Sequence, residues 1–92
     1  IATNTTLDQS SVPPGARQQG GLSGAPLTRR STEVIKTLRA RTALPIIASG
    51  GVMTGADARE KIDAGASLVQ IYTGFVYSGP ALIRDITRAL AA

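Results

Sequence analysis

The chain has 92 residues, a hydrophobic fraction of 42%, a charged fraction of 17% and a formal net charge of +4. This composition is typical of a globular domain and excludes a disordered segment. The sequence contains no cysteine and no histidine, which excludes disulfides, thiolate nucleophiles and cysteine metal sites, and removes the commonest general base. It has no apolar run of the roughly 18 residues that a membrane-spanning helix needs.

The basic residues are spread along the chain instead of forming one patch. Only two tyrosines and one phenylalanine are available to stack on bases. The pattern therefore favours solvated helix surfaces and no nucleic-acid partner, with a basic nucleic-acid-binding module as the weaker alternative. Lys36 and Lys61 are predicted to be solvated helix residues without a catalytic role.

The first segment, residues 1–6, reads IATNTT and is typical of a strand end that passes into hydrogen-bonding side chains. These side chains could face a ligand or form an ordinary turn. The chain opens on an isoleucine within this strand end, so we expect part of the protein to lie upstream. Residues 8–21 follow as a long loop, and loops longer than about 12–15 residues are often functional. The loop ends in GGLSG at residues 20–24, which permits close backbone approach to a ligand or forms a flexible turn.

A helix is predicted to begin near Thr28 or Ser31, with Val34, Ile35 and Leu38 on its buried face. The stretch of residues 44–52 reads LPIIASGGV and predicts a strand that begins at the junction of residues 43–45, with the proline tolerated near the first strand position. This strand ends in a Ser-Gly-Gly turn.

The next helix is predicted from the capping-box pair Thr54 and Asp57, and Gly65 is suited to end it. A second strand over residues 67–72 is nearly continuous in apolar residues, which predicts burial on both faces. This strand also ends in a glycine turn, at residues 72–74.

The last helix is predicted to start at Pro80, a favoured first helical residue. Its apolar residues recur at helical spacing and predict a buried stripe. The stripe consists of Leu82, Ile83, Ile86 and Leu90.

Two neighbouring β-turn-α units with glycine turns resemble the last two units of a (β/α)8 barrel, where phosphate sites are common. Glycine turns at helix starts present free N–H groups, and the Thr73 hydroxyl adds a donor. Glycine at position 51 would let the backbone approach the phosphate closely. The alternative is two ordinary turns without a ligand. The sequence shows no paired carboxylates, Walker pattern or dinucleotide fingerprint, and no metal site is predicted.

Four segments closely resemble dihydroorotate dehydrogenase: ATNTT at 2–6, GGLSG at 20–24, LPIIASGGV at 44–52 and GASLVQIYTGF at 65–75. The resemblance implies an α/β fold, namely the C-terminal fragment of an FMN-binding (β/α)8 TIM barrel. It implies a span from the end of strand 6 through the helix after strand 8. Residues 1–92 would then form part of a single domain whose N-terminal part is absent.

The resemblance also implies the site residues. Asn4 and Thr5 would hydrogen-bond orotate or dihydroorotate, and no catalytic residue falls in this chain because the base is a serine on an earlier loop. Neither Ser23 nor Ser49 takes that role. FMN would be contacted by seven residues, of which Gly50 and Gly74 are added from turn geometry more than from the family pattern. The seven are Thr3, Gly24, Gly50, Gly51, Tyr72, Thr73 and Gly74.

Residues 69–75 are similar to the quinone-dependent, membrane-associated class. The implied activity is FMN-dependent oxidation of dihydroorotate to orotate with quinone as acceptor, in pyrimidine biosynthesis. Membrane contact would be peripheral, through an N-terminal region absent here, at the cytoplasmic side of a bacterial inner membrane or at a mitochondrial inner membrane. The isolated fragment is expected to be inactive. The alternative within the same fold is another phosphate-binding barrel enzyme.

Overall fold

The computed structural model describes residues 1–91, and Ala92, the last residue of the predicted 1–92 domain, lies outside them. The architecture is mixed α/β. The elements are α1 (Thr28–Arg41), β1 (Ile47–Ser49), α2 (Gly55–Asp63), β2 (Leu68–Gln70), α3 (Thr73–Ser78) and α4 (Pro80–Ala91). Two short 3-10 turns, Pro14–Ala16 and Ala25–Leu27, interrupt the segment before α1, which otherwise is the predicted long loop.

Three parallel chain segments form the sheet. In β1, Ala48 pairs with Val69 of β2 on one side and with Ala2 on the other, in both cases in parallel. The N–H of Ser49 donates to the carbonyl of Ala2 at 2.5 Å, which confirms that residues 1–3 behave as a strand end. Because the segments are parallel, their carboxyl ends meet at one edge of the sheet. This arrangement is consistent with a section of a (β/α)8 barrel.

Both strands are shorter than predicted. The strand predicted between the junction at residues 43–45 and the Ser-Gly-Gly turn begins only at Ile47, after Pro45, which cannot donate a ladder hydrogen bond. The strand predicted over 67–72 is reduced to β2. The prediction that this strand is buried on both faces is wrong for the described residues, since Leu68 is 60% exposed. Among residues 1–91, β2 has a partner strand on one side only and lies at the edge of the sheet.

The core lies between α1 and the start of the strands. Ile35 is fully buried against Ala2, Ile46 and Ala48. Val34 and Leu38 are partly buried beside it, so the predicted face of α1 and its start at Thr28 are confirmed. The small alanine side chains let the helix pack closely on the sheet.

The start of α2 has the predicted capping box. The N–H of Asp57 donates to the Thr54 hydroxyl at 3.1 Å, and the Asp57 carboxylate accepts from the N–H groups of Thr54 and Met53 at 3.2 and 2.9 Å. Gly65 follows the helix with a φ of 120°, as predicted for a helix end. These contacts fix the direction in which the chain leaves the turn after β1.

The helix α3 is a departure from the sequence prediction. The glycine turn predicted at residues 72–74 is instead the first turn of α3, and Gly74 lies buried inside the helix. Gly79, with a φ of 64°, ends α3, and Pro80 begins α4 as predicted. A helix pair therefore follows β2.

The predicted stripe of α4 is correct only in part. Leu82 is buried and Ile86 partly buried, but Ile83 is half exposed. Other large apolar side chains are exposed on the loops and helices, while the smallest dimension of the molecule is only 15 Å. The most exposed of these in the sheet and helix region are Leu44, Leu68, Tyr72, Val76 and Tyr77.

We expect the isolated 92-residue polypeptide to self-associate and to bind a hydrophobic dye, because contact of its exposed apolar side chains with water is unfavourable. Light scattering coupled to gel filtration, together with dye fluorescence, measures both. A variant with Leu44→Lys and Val76→Lys is the matched control, and it should associate less. A monomer that melts cooperatively without binding dye would contradict this expectation.

Candidate functional site

The structure brings together every residue that the sequence predicted to bind cofactor or substrate. They line one cleft of about 500 Å³ at the carboxyl ends of the three parallel segments. The cleft is closed from one side by the end of the loop before α1. The nine residues are Thr3, Asn4, Thr5, Gly24, Gly50, Gly51, Tyr72, Thr73 and Gly74.

Further lining residues were not predicted as site residues. The sequence offered a signal for Gln70 as a site residue, because a polar amide in an otherwise apolar strand is unusual. Leu27 and Met53 had none, since only the folded loop and the turn bring them to the cleft. The additional residues are Ile1, Ser23, Leu27, Ser49, Val52, Met53, Gln70 and Ile71.

No lining side chain of the cleft is charged. Across residues 1–91, no group of three acidic, histidine or cysteine side chains is arranged to hold a metal ion. Within residues 1–91, the groups that face the cleft are therefore hydroxyl, amide and backbone groups and apolar side chains.

Hydroxyl groups hold the turn after β1. The carbonyl of Ser49 accepts from the hydroxyls of Thr3 and Ser31 at 3.2 and 3.1 Å. The carbonyl of Gly51 accepts from the Thr28 hydroxyl at 2.5 Å. Both carbonyls are thus engaged, whereas the N–H of Gly51 has no acceptor within the described part of the chain.

The glycines of this turn are required by packing. Gly51 has a φ of 71°, and a side chain there would overlap the backbone of Thr28. Gly50 has a φ of 118°, and its Cβ would lie 2.9 Å from Leu27 and from the Thr3 hydroxyl. The missing side chain at Gly51 makes room for α1, which is a second reason for glycine beside the predicted close approach of a phosphate.

The loop before α1 is joined to α3 by two hydroxyls. Ser23 Oγ lies 2.6 Å from Thr73 Oγ1. Gly24, with a φ of 83°, lets the loop approach, since its Cβ would lie 3.1 Å from the Thr73 methyl group. In such a pair one hydroxyl donates to the other, and the second keeps its own proton to donate elsewhere.

The start of α3 also presents donors. Tyr72, which precedes the helix, makes no side-chain cap. The N–H groups of Thr73 and Gly74 therefore lack an intrahelical acceptor. A side chain at Gly74 would overlap the carbonyl of Val52, so glycine allows α3 to lie against the turn after β1.

At the other end of the cleft, Asn4 is exposed and its side chain is oriented by its neighbour. The N–H of Thr5 donates to Asn4 Oδ1 at 2.8 Å. The Asn4 amide nitrogen then remains to donate to a ligand. Thr3 donates its hydroxyl proton to Ser49, so toward a ligand it offers only lone pairs.

Lys61, predicted to be solvated, is fully buried, and the prediction is wrong. Its ammonium donates to the carbonyl of Thr28 at 2.8 Å and to the hydroxyl of Thr32. Burial lowers the pKa of Lys61 below its usual 10.5, and the carboxylates of Glu60 and Asp57 act in the opposite direction. Lys61 does not line the cleft but lies behind the turn after β1.

The comparison with known families decides the family of the chain. The family model described as dihydroorotate dehydrogenase matches residues 1–92. The chain belongs to the dihydroorotate dehydrogenase family. The prediction made from the four sequence segments is confirmed.

Curated relatives in this family carry the name dihydroorotate dehydrogenase (quinone). The protein of Teredinibacter turnerae is 55% identical, and that of Pseudomonas syringae pv. syringae is 58% identical, each over 96 aligned residues. Both alignments cover 100% of this chain and 28% of the relative. The chain therefore spans about 28% of the length of these dihydroorotate dehydrogenases.

Solved dihydroorotate dehydrogenases have the same backbone arrangement. The Eimeria tenella enzyme in complex with ferulenol is 41% identical with a TM-score of 0.86, covering 96% of this chain and 24% of that one. The ligand-free Eimeria tenella enzyme is 41% identical with a TM-score of 0.88, covering 98% and 26%. Among residues 1–91 of the chain, no helix has the length and apolarity to cross a membrane.

The buried ammonium predicts a pH dependence of stability. Because burial lowers the folded-state pKa of Lys61, the unfolded state binds more protons between that pKa and 10.5. The free energy of unfolding therefore rises with pH through this window. Below the window, the full cost of burying the charged Lys61 ammonium lowers the stability. Lys61→Met, in the protein that contains this chain, removes the effect.

We expect the melting temperature of the wild type, relative to that of Lys61→Met, to increase as the pH is raised from about 7 to about 10. Lys36→Met, at an exposed position of α1, is the control and should show a constant difference. A difference for Lys61→Met that does not change with pH would contradict the assignment.

Proposed function

We propose that this chain is the C-terminal section of a quinone-dependent dihydroorotate dehydrogenase, acting as part of a longer polypeptide. It would run from the end of strand 6 through the helix after strand 8 of the barrel, with residues 1–92 in one FMN-binding domain. The reaction is oxidation of dihydroorotate to orotate in pyrimidine biosynthesis. The carrying observation is the convergence in one cleft of all nine predicted site residues, seven of them implied by the family resemblance.

One end of the cleft binds the FMN phosphate. A phosphate dianion has only acceptor oxygens, and this end offers donors: the N–H of Gly51, the N–H groups of Thr73 and Gly74, and the free proton of the Ser23–Thr73 hydroxyl pair. Gly24 lies beside this pair. The donor set fits a phosphate without any charged side chain in the lining.

Gly50 and Tyr72 complete the cofactor contacts. Gly50 belongs to the turn after β1, and Tyr72 lies 80% exposed at the rim of the cleft, immediately before α3. The Thr3 hydroxyl donates its proton to the Ser49 carbonyl, so its oxygen would accept a hydrogen bond from an N–H group of the cofactor. FMN, when bound, supplies the electron-accepting chemistry.

The other end of the cleft orients the substrate. Asn4 donates its amide to the dihydroorotate ring and Thr5 adds a hydroxyl. The proton-abstracting base and the quinone site belong to parts of the enzyme outside these residues. The membrane contact is peripheral and also lies outside them, at a bacterial inner membrane on its cytoplasmic side or at a mitochondrial inner membrane.

Thr73→Val should weaken FMN binding selectively, because valine keeps the shape and removes a donor to the phosphate. Hydrogen bonds to charged groups contribute about 1.5–3 kcal/mol, so we expect the FMN dissociation constant to rise by roughly 10- to 150-fold. The dissociation constant of riboflavin, which lacks the phosphate, should change less than about twofold. Titration of the apoprotein with both flavins measures this.

The control for Thr73→Val is Thr87→Val, at an exposed helical threonine whose hydroxyl bonds only the carbonyl of Ile83. It should leave both dissociation constants unchanged. Equal loss of FMN and riboflavin in Thr73→Val would place the phosphate elsewhere.

Asn4→Ala should impair substrate binding without affecting the cofactor. Loss of a hydrogen bond between the Asn4 amide and the bound substrate costs about 1–3 kcal/mol, so kcat/KM for dihydroorotate should fall by roughly 5- to 150-fold. Flavin content should stay at the wild-type level. Steady-state kinetics and the flavin absorbance of the purified enzyme measure the two effects.

Asn4→Asp is the matched variant, because it keeps the acceptor for the Thr5 N–H and loses the amide donors. It should be at least as impaired as Asn4→Ala. An Asn4→Ala enzyme that loses flavin and keeps its kcat/KM per bound flavin would contradict the assignment to substrate.

A further inference from the structure

We propose that Lys61 is a positioning residue for the phosphate end of the cleft: it holds Thr28 and, through Thr28, the backbone of Gly51. The inference rests on the proposed function, since it assumes that the Gly51 N–H meets the FMN phosphate. Lys61 itself touches neither cofactor nor substrate, because it does not line the cleft.

The burial of Lys61 requires an explanation. Among residues 1–91, Lys61 forms no ion pair, whereas the described ion pairs are surface contacts on α1 and α2. Lysine is rarely buried without a carboxylate partner, because desolvation of the ammonium is unfavourable. None of the side chain is exposed, so a group elsewhere in the protein could reach it only by displacing α1 or α2.

The ammonium binds the first turn of α1. Its two acceptors are the carbonyl of Thr28 and the hydroxyl of Thr32, and the same hydroxyl bonds the Thr28 carbonyl at 3.1 Å. A charged donor forms a stronger hydrogen bond than a neutral one. Lys61 thereby anchors the first residue of α1 to α2.

Thr28 connects this anchored helix start to the cleft through its contacts with Gly51. Its hydroxyl donates to the Gly51 carbonyl at 2.5 Å, and its backbone occupies the space where a Gly51 side chain would be. The two backbones are in direct contact, so a shift of Thr28 moves Gly51. The Gly51 carbonyl and the Val52 N–H share one planar peptide unit, so this hydrogen bond fixes the chain on the C-terminal side of Gly51. The Thr28 backbone, packed against Gly51 itself, limits rotation on the side of the Gly51 N–H.

The competing explanation is that Lys61 only stabilises the packing of α1 against α2. A structural role of that kind would weaken the binding of FMN and riboflavin equally, whereas a role in positioning the phosphate turn would weaken FMN alone. The ratio of the two dissociation constants therefore separates the explanations.

The experiment uses the full-length apoprotein, titrated with FMN and with riboflavin, and the variants Lys61→Met and Thr28→Val. Lys61→Met keeps the length of the side chain and removes the donors. Thr28→Val keeps the shape and removes the hydroxyl that bonds Gly51. Lys36→Met is the control at an exposed lysine and should change neither constant.

We expect each variant to raise the FMN dissociation constant by about tenfold or more, with riboflavin changed less than about threefold. Since the two residues act through one chain of contacts, the double variant should be little worse than the weaker-binding single variant. Fully additive losses, or equal losses for FMN and riboflavin, would overturn the proposal.

If Lys61→Met does not fold, a comparison of two single variants, Thr28→Val and Lys61→Arg, still tests the proposal. Arginine keeps the charged donors, so it should retain more FMN selectivity than Thr28→Val, and the reverse order would overturn it. Failure of this inference is separable from failure of the proposed function. A selective effect of Thr73→Val beside no selective effect of Lys61→Met or Thr28→Val rejects only the inference.

Discussion

The contact between the first turn of α1 and the turn after β1 determines the shape of the cleft. Thr28 and Ser31 donate hydroxyl protons to the carbonyls of Gly51 and Ser49, and glycine at two successive positions allows the helix to lie against this turn. The carbonyls of the turn are engaged on the side of α1, and the Gly51 N–H has no acceptor among residues 1–91. The donor-rich, uncharged character of this end of the cleft follows from that packing.

Local chemistry explains most of what the sequence predicted correctly. The capping box at Thr54 and Asp57 and the helix end at Gly65 depend on neighbours in the chain, so their residue types were sufficient. Helix α1 begins near Thr28 as predicted, but neither Thr28 nor Ser31 caps it, because their hydroxyls bond the turn after β1. Helix α3 was missed because Gly74 disfavours a helix locally, and its packing against the Val52 carbonyl, which overrides that preference, is a tertiary contact. The strand ends were overestimated because apolar runs do not mark where pairing stops.

The site was predictable to different depths. The residues themselves indicated the proposed phosphate end, through the glycines at 50–51 and 74, whereas the proposed assignment of Asn4 and Thr5 to substrate needed the family resemblance. Burial of Lys61 left a trace in the sequence, since it lies three residues after Ala58 and shares a face of α2 with that buried residue. The contact of Ser23 with Thr73 left none, because the two residues are far apart in the chain.

The hydroxyl pair of Ser23 and Thr73 has a consequence for the long loop before α1. Residues 8–21 are mostly exposed and make few contacts beyond their own segment, so the pair and the bridge between Thr6 and Leu22 are the described contacts that tie the loop ends to the fold. A ligand that binds Thr73 and Gly24 together draws on the same geometry. Binding of such a ligand and ordering of the loop would be thermodynamically linked, each favouring the other by the same free energy. A bound flavin would stabilise the ordered conformation of the loop. The rate at which a protease cleaves within residues 8–21 would then depend on whether the cleft is occupied, although the cleavage site lies outside the cleft.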